Sequence, residues 1–249
     1  MKKFLKISAT IVILAGTVLL LGFADSEHHN LICQSVVINV LNPGDHALVT
    51  QEEILDFINE DSRPLTGRRI ESLNLNRIER NLVNHPYISQ AEVYSTIDGL
   101  LSVTVGLRYP VVRVINLNDE HALIDREGVL IPLSDAHRFN LTIANGFIPE
   151  SFAFGPGQEI PLDSLPETSA LRQIHAVGTY IHDDPFLAAM IEQIYVDPKG
   201  QIELIPQLGR QVILLGDATG LEKKLGKLPP HPGARRPFGV FKMRGAHGR

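Results

Sequence analysis

Leu73–Pro110 reads Leu-Asn-Leu-Asn-Arg-Ile-Glu-Arg-Asn-Leu-Val-Asn-His-Pro-Tyr-Ile (73–88), Ser-Gln-Ala-Glu-Val-Tyr-Ser-Thr-Ile (89–97), Asp98-Gly99, Leu-Leu-Ser-Val-Thr-Val-Gly-Leu (100–107) and Arg108-Tyr109-Pro110. Asn74 is placed to cap a helix, and Leu73 and Ile78 occupy the two positions of a hydrophobic staple. Leu75, Ile78 and Leu82 recur on one helical face. Pro86 stops the helix, because the residue before a proline avoids helical backbone angles. Beyond it the period drops to two. Ala91, Val93, Ser95 and Ile97 oppose Glu92, Tyr94 and Thr96; Leu101, Val103, Val105 and Leu107 oppose Ser102, Thr104 and Gly106. Asp98-Gly99 between two alternating runs signals a hairpin. A two-residue loop would set the apolar row of one strand against the polar row of the other. An odd loop over 98–100, pairing Ile97 with Leu101 and Val93 with Val105, is therefore expected.

Upstream, Cys33–Leu41 alternates as a strand, with Val36, Ile38 and Val40 on one side and Val37 and Asn39 on the other. Asn42-Pro43-Gly44-Asp45 is a turn. Thr50-Gln51-Glu52-Glu53 has the form of a capping box. Ile54, Leu55 and Ile58 give the helix that follows an apolar stripe, broken by Pro64 and Gly67. Strand, helix, helix, strand, strand over residues 35–107 makes a small α+β domain, two amphipathic helices covering one face of a three-stranded sheet. An exposed edge of such a sheet suits strand addition by a partner.

Lys2, Lys3 and Lys6 precede Ile7–Phe23, which holds no charged residue, and Asp25 and Glu27 follow it. As a helix that run spans roughly 26 Å, close to the hydrocarbon core of a bilayer. The charges predict a cytoplasmic tail over 1–6, a single transmembrane helix over 7–24, a linker over 25–34 and all later residues outside. Gly22-Phe23-Ala24 is a small-x-small site, so a cleaved signal peptide is the competing reading, which the length of the apolar run disfavours. Residues 25–225 carry 28 Asp and Glu against 14 Lys and Arg, a net of −14 concealed by the whole-chain −5. So acidic an external part argues against nucleic acid and anionic lipid as partners. Apolar content of 44% suffices for a core, while the absence of Trp and an aromatic content of 6% argue against a sugar- or base-stacking surface. Cys33, the single cysteine, has no partner for an intramolecular disulfide and reads as a packed or linker thiol, with an intermolecular disulfide or a reactive nucleophile as the sharper alternative.

From residue 108 to 225 the signals are mainly those of an antiparallel β domain with short helices. Strands are expected at Val111–Asn116, His121–Ile124, Val129–Ile131 and Phe139–Ile143, the last ended by Asn145-Gly146. Residues 149–167 read as loop. Thr168 is placed to cap a helix with Leu171, Ile174, Gly178 and Ile181 on one side, and Asp184-Pro185 opens a second, short helix. Ile191–Val196, Gln201–Ile205 and Gln211–Leu215 form a meander whose first turn is Asp197–Gly200. From Gly226 to Arg249 there are four prolines, five glycines, six basic residues and no acid, the composition of an irregular basic tail.

No His-Glu-x-x-His, Cys-x-x-Cys, Gly-x-Ser-x-Gly, Walker or Gly-x-Gly-x-x-Gly pattern occurs. His28 and His29 are adjacent and point apart on extended backbone, a solvated linker rather than a metal site. Asp125 and Glu127 flank a turn and read as turn formers rather than an acid/base pair. The residues thus predict no catalytic group, no metal, no cofactor and no small-molecule substrate.

A Lys-bearing N-terminus, one anchor and a strand-helix-helix-strand-strand unit resemble a POTRA domain beside a membrane. Arg108-Tyr109-Pro110-Val111-Val112-Arg113-Val114 resembles the Arg-x-Pro junction that follows this domain in the bacterial cell-division family FtsQ/DivIB. His121–Asp125 through Gly128–Ser134 is similar to the family's Ile-Asp … Gly … Pro-Leu stretch. Phe186–Val196, Ile202–Pro206 and Val212–Gly216 are similar to its later β domain, in the form of Bacteroidetes-like members. The resemblance covers nearly all of residues 1–225. It implies a non-enzymatic single-pass protein of the inner membrane, with its N-terminus cytoplasmic and its C-terminus periplasmic, enriched at the division site. There it would bind division proteins of the FtsB and FtsL type and other divisome members, and couple early components to septal wall synthesis. It further implies a domain junction at Arg108 and Pro110 and a partner-binding edge at Val212, Ile213, Leu214 and Leu215.

The family pattern would continue past Gly216 with a helix, begun by Leu221–Leu225, and a final strand. Pro229-Pro230 and the basic tail stand there instead. Loss of pattern near Leu228 suggests a frame error in the coding sequence, an idea that fails if neither other frame restores a helix and a strand. A POTRA-type module of outer-membrane protein assembly or secretion is a rival, but it requires a barrel of many amphipathic strands for which this chain is too short. An anchored periplasmic hydrolase is another, and it requires a pocket with converging polar groups.

Overall fold

Leu73–Leu107 folds as a helix and a hairpin in the computed structural model, which describes residues 13–17, 31–41, 49–59, 63–133, 140–154, 159–209, 211–226 and 243–245. The described residues divide into two units, one ending at Leu107 and the other beginning at Arg108. In the first, Asn74 Oδ1 accepts the Arg77 N–H at 3.0 Å, and the staple residues Leu73 and Ile78 are buried. Helix α2 runs Leu75–Val83. Helix α1, Gln51–Ile58, is closed by the capping box: Glu53 N–H donates to Thr50 Oγ1 at 3.2 Å and Thr50 N–H to Glu53 Oε2 at 2.7 Å. Strands β1 (Ser35–Leu41), β2 (Ile88–Ser95) and β3 (Leu100–Leu107) form a sheet in the order β1-β3-β2, with β1 parallel and β2 antiparallel to β3. Ile38, Val103 and Val93 share one row across it. Ile54 and Ile58 of α1, Ile78 and Leu82 of α2, and Leu101, Val103 and Val105 of β3 are all buried. Each such side chain contributes about 1.5–3 kcal/mol.

The hairpin loop is odd, so the two apolar rows do share a face, but its register differs from the expected one by two residues. Val93 pairs with Val103 and Ser95 with Leu101. The loop is 97–99, because Thr96 closes it: Thr96 N–H donates to Leu100 O at 2.9 Å and Gly99 N–H to Thr96 O at 3.1 Å. Gly99 takes φ +82°, the left-handed residue of a three-residue hairpin. Ile97 is left at the tip, 80% exposed, instead of facing Leu101.

Cys33 is fully buried, its thiol is pushed up by burial, and Sγ lies 3.7 Å from Ser35 O: a packed thiol. His85 stands edge-on to Phe57 of α1 (5.1 Å) and to Tyr87 (5.4 Å), and its Nδ1 accepts the Tyr87 N–H at 3.3 Å. Burial pushes this imidazole below its ordinary range, against a smaller upward pull from Glu53. A depressed folded-state pKa stabilises the fold above the unfolded value of about 6.5, and that contribution is lost as pH falls through the folded value. Urea midpoints at pH 7.5 and 5 are therefore expected to fall further in the natural chain than in a His85→Leu variant; equal shifts would remove His85 as the cause.

Of the span expected over 7–24, residues 13–17 are described, and they are helical. Among the described residues no helix is long and apolar enough to cross a membrane. His28-His29 and the turn Asn42–Asp45 lie outside the described residues.

The second unit is built on a nine-stranded sheet. Its strands are β4 (Pro110–Ile115), β5 (His121–Asp125), β6 (Val129–Pro132), β7 (Thr142–Gly146), β8 (Ile160–Pro161), β9 (Ile191–Val196), β10 (Ile202–Pro206), β11 (Gln211–Gly216) and β12 (Met243–Gly245). Their order is β12-β11-β10-β9-β7-β4-β5-β6-β8. Pairing is antiparallel except at β7, which runs parallel to both β4 and β9. A parallel return needs a crossover, and helices α3 (Ala170–Asp183) and α4 (Pro185–Met190) supply it. Leu171, Ile174, Val177 and Ile181 of α3 join Val112, Val114, Ala144 and Ile194 in one core, to which Ile213, Leu215 and Leu225 also belong.

Four expectations are corrected. Strand β7 passes through Asn145-Gly146 instead of ending before it. The stretch read as loop contains β8 and a 3-10 turn, Leu162–Ser164. Ser169, not Thr168, caps α3: Ser169 Oγ accepts the Leu171 N–H at 3.2 Å, while Glu150 Oε1 accepts Ser169 Oγ–H at 2.6 Å and Ala170 N–H at 3.0 Å. The tail read as irregular contributes β12, antiparallel on β11.

Candidate partner-binding edge

Strand β11 alternates. Ile213 and Leu215 point into the core, each 4% exposed, whereas Val212 and Leu214 are half-buried on the other face. The four residues singled out in the sequence therefore divide: two are structural, and two present side chains a partner can touch. The inner side of β11 pairs with β10, where Glu203 opposes Leu214 and Ile202 opposes Gly216, leaving Leu215 as an extra residue in a bulge. Bulges bend a strand and interrupt its ladder. On the outer side β12 sets Gly245, Arg244 and Met243 opposite Gln211, Val212 and Ile213. Leu214–Gly216 has no strand on that side among the described residues.

The far end of β11 is pinned. Asp217 Oδ1 accepts Lys224 Nζ at 2.7 Å, Thr219 Oγ1–H at 2.6 Å and Thr219 N–H at 3.0 Å, while Lys224 Nζ also donates to Asp217 O at 3.0 Å. The lysine foremost, then Thr219, holds this carboxyl well below the usual carboxylate range. The knot ties helix α5 (Leu221–Leu225) to the strand and seats Leu225 in the core.

Arg108 and Pro110 open the second unit, and both are buried. Arg108 Nη1 donates to Asp125 Oδ2 at 2.8 Å, and Nη2 donates to Glu159. Glu127 Oε2 is 3.8 Å from Nη1. The other oxygen of the fully buried Asp125, Oδ1, accepts the Val129 N–H at 2.7 Å and so closes the β5–β6 turn. Asp125 is thus the turn former the sequence suggested, and also the counter-ion of a buried guanidinium, which it did not. No local signal reveals that second role, since 17 residues separate the pair and 51 separate Arg108 from Glu159.

A shallow cleft of about 440 Å³ is lined by Glu127, Asp163, Arg172 and His175 among others. His175 Nε2 lies 3.1 Å from Arg126 O, and Arg172 Nη1 donates to Leu165 O at 3.1 Å, so both side chains are engaged with backbone. Among the described residues no three of His, Cys, Asp and Glu converge to hold a metal ion.

A βααββ unit followed by a β-rich unit is the layout of the described residues. A model of the POTRA-like domain matches residues 31–106, and a model described as FtsQ/DivIB, C-terminal related, matches residues 109–230. The cell division protein DivIB of Clostridium acetobutylicum is 31% identical over 116 residues, 44% of this chain and 43% of that protein. Both matches and this relative point to the FtsQ/DivIB family of cell-division proteins, which the chain resembles over its two units. The match spans less than half the length of that curated relative.

Proposed function

We propose that this chain is a non-enzymatic scaffold of the bacterial divisome. Anchored in the inner membrane by residues 7–24, it binds division proteins of the FtsB and FtsL type in the periplasm and couples early division components to septal wall synthesis. The binding element is the β11 edge, with Val212 and Leu214 as the side chains a partner reaches and Arg108 and Pro110 at the start of the module that carries it. Strand addition gives affinity through main-chain hydrogen bonds and specificity through alternate side chains. The observation that carries this reading is the layout of the last strands. Strand β11, six residues long, has Ile213 and Leu215 locked in the core, and among the described residues three of its six positions are matched by β12 on the outer side. A strand held firmly from within and incompletely paired outside is a template for an extended segment.

Capture of the periplasmic segments of the FtsB- and FtsL-type proteins by the full chain is the test. Replacing both Val212 and Leu214 by Glu leaves the buried Ile213 and Leu215 untouched. It is expected to weaken capture at least tenfold with the circular dichroism spectrum preserved. Undiminished capture would place the binding surface elsewhere.

A further inference from the structure

We propose that Met243–Gly245 is a self-cap: the chain's own tail occupies the β11 edge, and an incoming segment gains the full edge only by displacing it. The displacement step rests on the partner-binding reading above; the cap itself does not.

The register places Gly245, Arg244 and Met243 against Gln211, Val212 and Ile213, the first half of β11. An uncovered edge strand recruits other chains, so a cis strand there blocks pairing with a second copy of this chain. Sixteen residues, 227–242, connect Gly226 at the end of α5 to Met243. A tether of that length keeps the strand at an effective concentration on the order of millimolar, enough for a weak pairing to persist. Among the described residues the pairing takes up three of the six positions that β11 offers. A longer segment that also covers Leu214–Gly216 makes more main-chain hydrogen bonds than the cap it removes. Composition fits the role as well: residues 226–249 carry six basic residues and no acid, opposite in sign to the net −14 of residues 25–225.

Two measurements on the full chain test the cap directly. Val212 and Arg244 are directly opposite, and such positions have Cβ atoms about 4.5–5.5 Å apart, close to disulfide range. The V212C/R244C variant is expected to form an intramolecular disulfide on mild oxidation. An L214C/G245C variant, three residues out of register, is not. Equal bridging in both, or bridging in neither, overturns the cap. In Arg244→Pro, a proline interrupts the short strand, and about half the amides of Gln211–Ile213 are expected to exchange at least tenfold faster while those facing β10 stay protected. Unchanged exchange overturns the proposal.

The displacement step has its own arm, with the periplasmic segment of the FtsB-type protein as probe. Capture is expected to fall at least tenfold when the 212–244 bridge is closed and to return on reduction. Equal capture by the bridged and reduced forms overturns displacement. Absence of capture in both forms, with the bridge formed in register, supports the cap and overturns the partner reading of the edge.

Discussion

Replacing Arg108 by Met is expected to destabilise the second unit by about 3–5 kcal/mol, the cost of stranding a buried counter-ion. The Arg108 and Asp125 side chains are 6% and 1% exposed, so neither charge has water to turn to when the other is removed. Asp125 cannot simply swing away, because its second oxygen holds the Val129 N–H at 2.7 Å. Glu159 and Glu127 make the loss worse, since without the guanidinium two or three carboxylates face one another. Those two are themselves 36% and 69% exposed, and solvent screening makes them the smaller part of the effect. Asp125→Asn keeps an acceptor for Val129 while removing the charge, so the double variant with Arg108→Met should recover part of the loss. Urea unfolding of the single and double variants checks this. A midpoint unmoved by Arg108→Met would show that the buried pair is not what holds β4 to the β5–β6 turn.

Gly146→Val is expected to cost at least about 3 kcal/mol or to abolish folding of the second unit. Gly146 takes φ +104°, outside the range open to a β-branched residue. A Cβ there would lie 2.3 Å from Val196 O, a backbone atom of the neighbouring strand that cannot be moved aside as a side chain can. The same carbonyl accepts the Phe147 N–H at 2.8 Å, so relieving the clash breaks the link between β7 and β9, the parallel pair at the centre of the sheet. Gly200 is the control: its φ is +75°, but nothing lies within 4 Å of a Cβ added to it. Gly200→Ala should therefore lose only the conformational term, about 1–2 kcal/mol. Similar losses from both substitutions, measured by thermal unfolding, would mean that backbone conformation alone, and not the approach of β9, makes Gly146 a glycine.

Local chemistry was readable from the residues. The staple of Leu73 and Ile78, the Asn74 cap, the Thr50–Glu53 box and the Asp184 cap each depend on side chains a few residues apart, and each is present. Failures occur where a distant group decides. Thr168 and Ser169 compete for one cap, and Glu150, about 20 residues upstream, selects Ser169. Parity fixed which faces of the first hairpin meet, but parity repeats every two residues, and the hydrogen bonds of Thr96 chose the register two residues away from the expected one. Asn145-Gly146 has the composition of a turn, yet it lies within β7 because β9 pairs alongside it. For the candidate site, the strand was legible and its edge was not. Nothing in a basic, proline-rich stretch announces three residues that pair with β11, since a strand this short has no periodicity to read.

The scaffold reading is tested most directly by amide exchange of the full chain with and without the periplasmic segments of the FtsB- and FtsL-type proteins. Binding through the proposed edge predicts slower exchange at Leu214–Gly216, where β11 has no strand on its outer side among the described residues, and faster exchange at Met243–Gly245 as the tail strand leaves. Protection confined to the β1 or β2 edge of the first unit, with β11 unchanged, would contradict it.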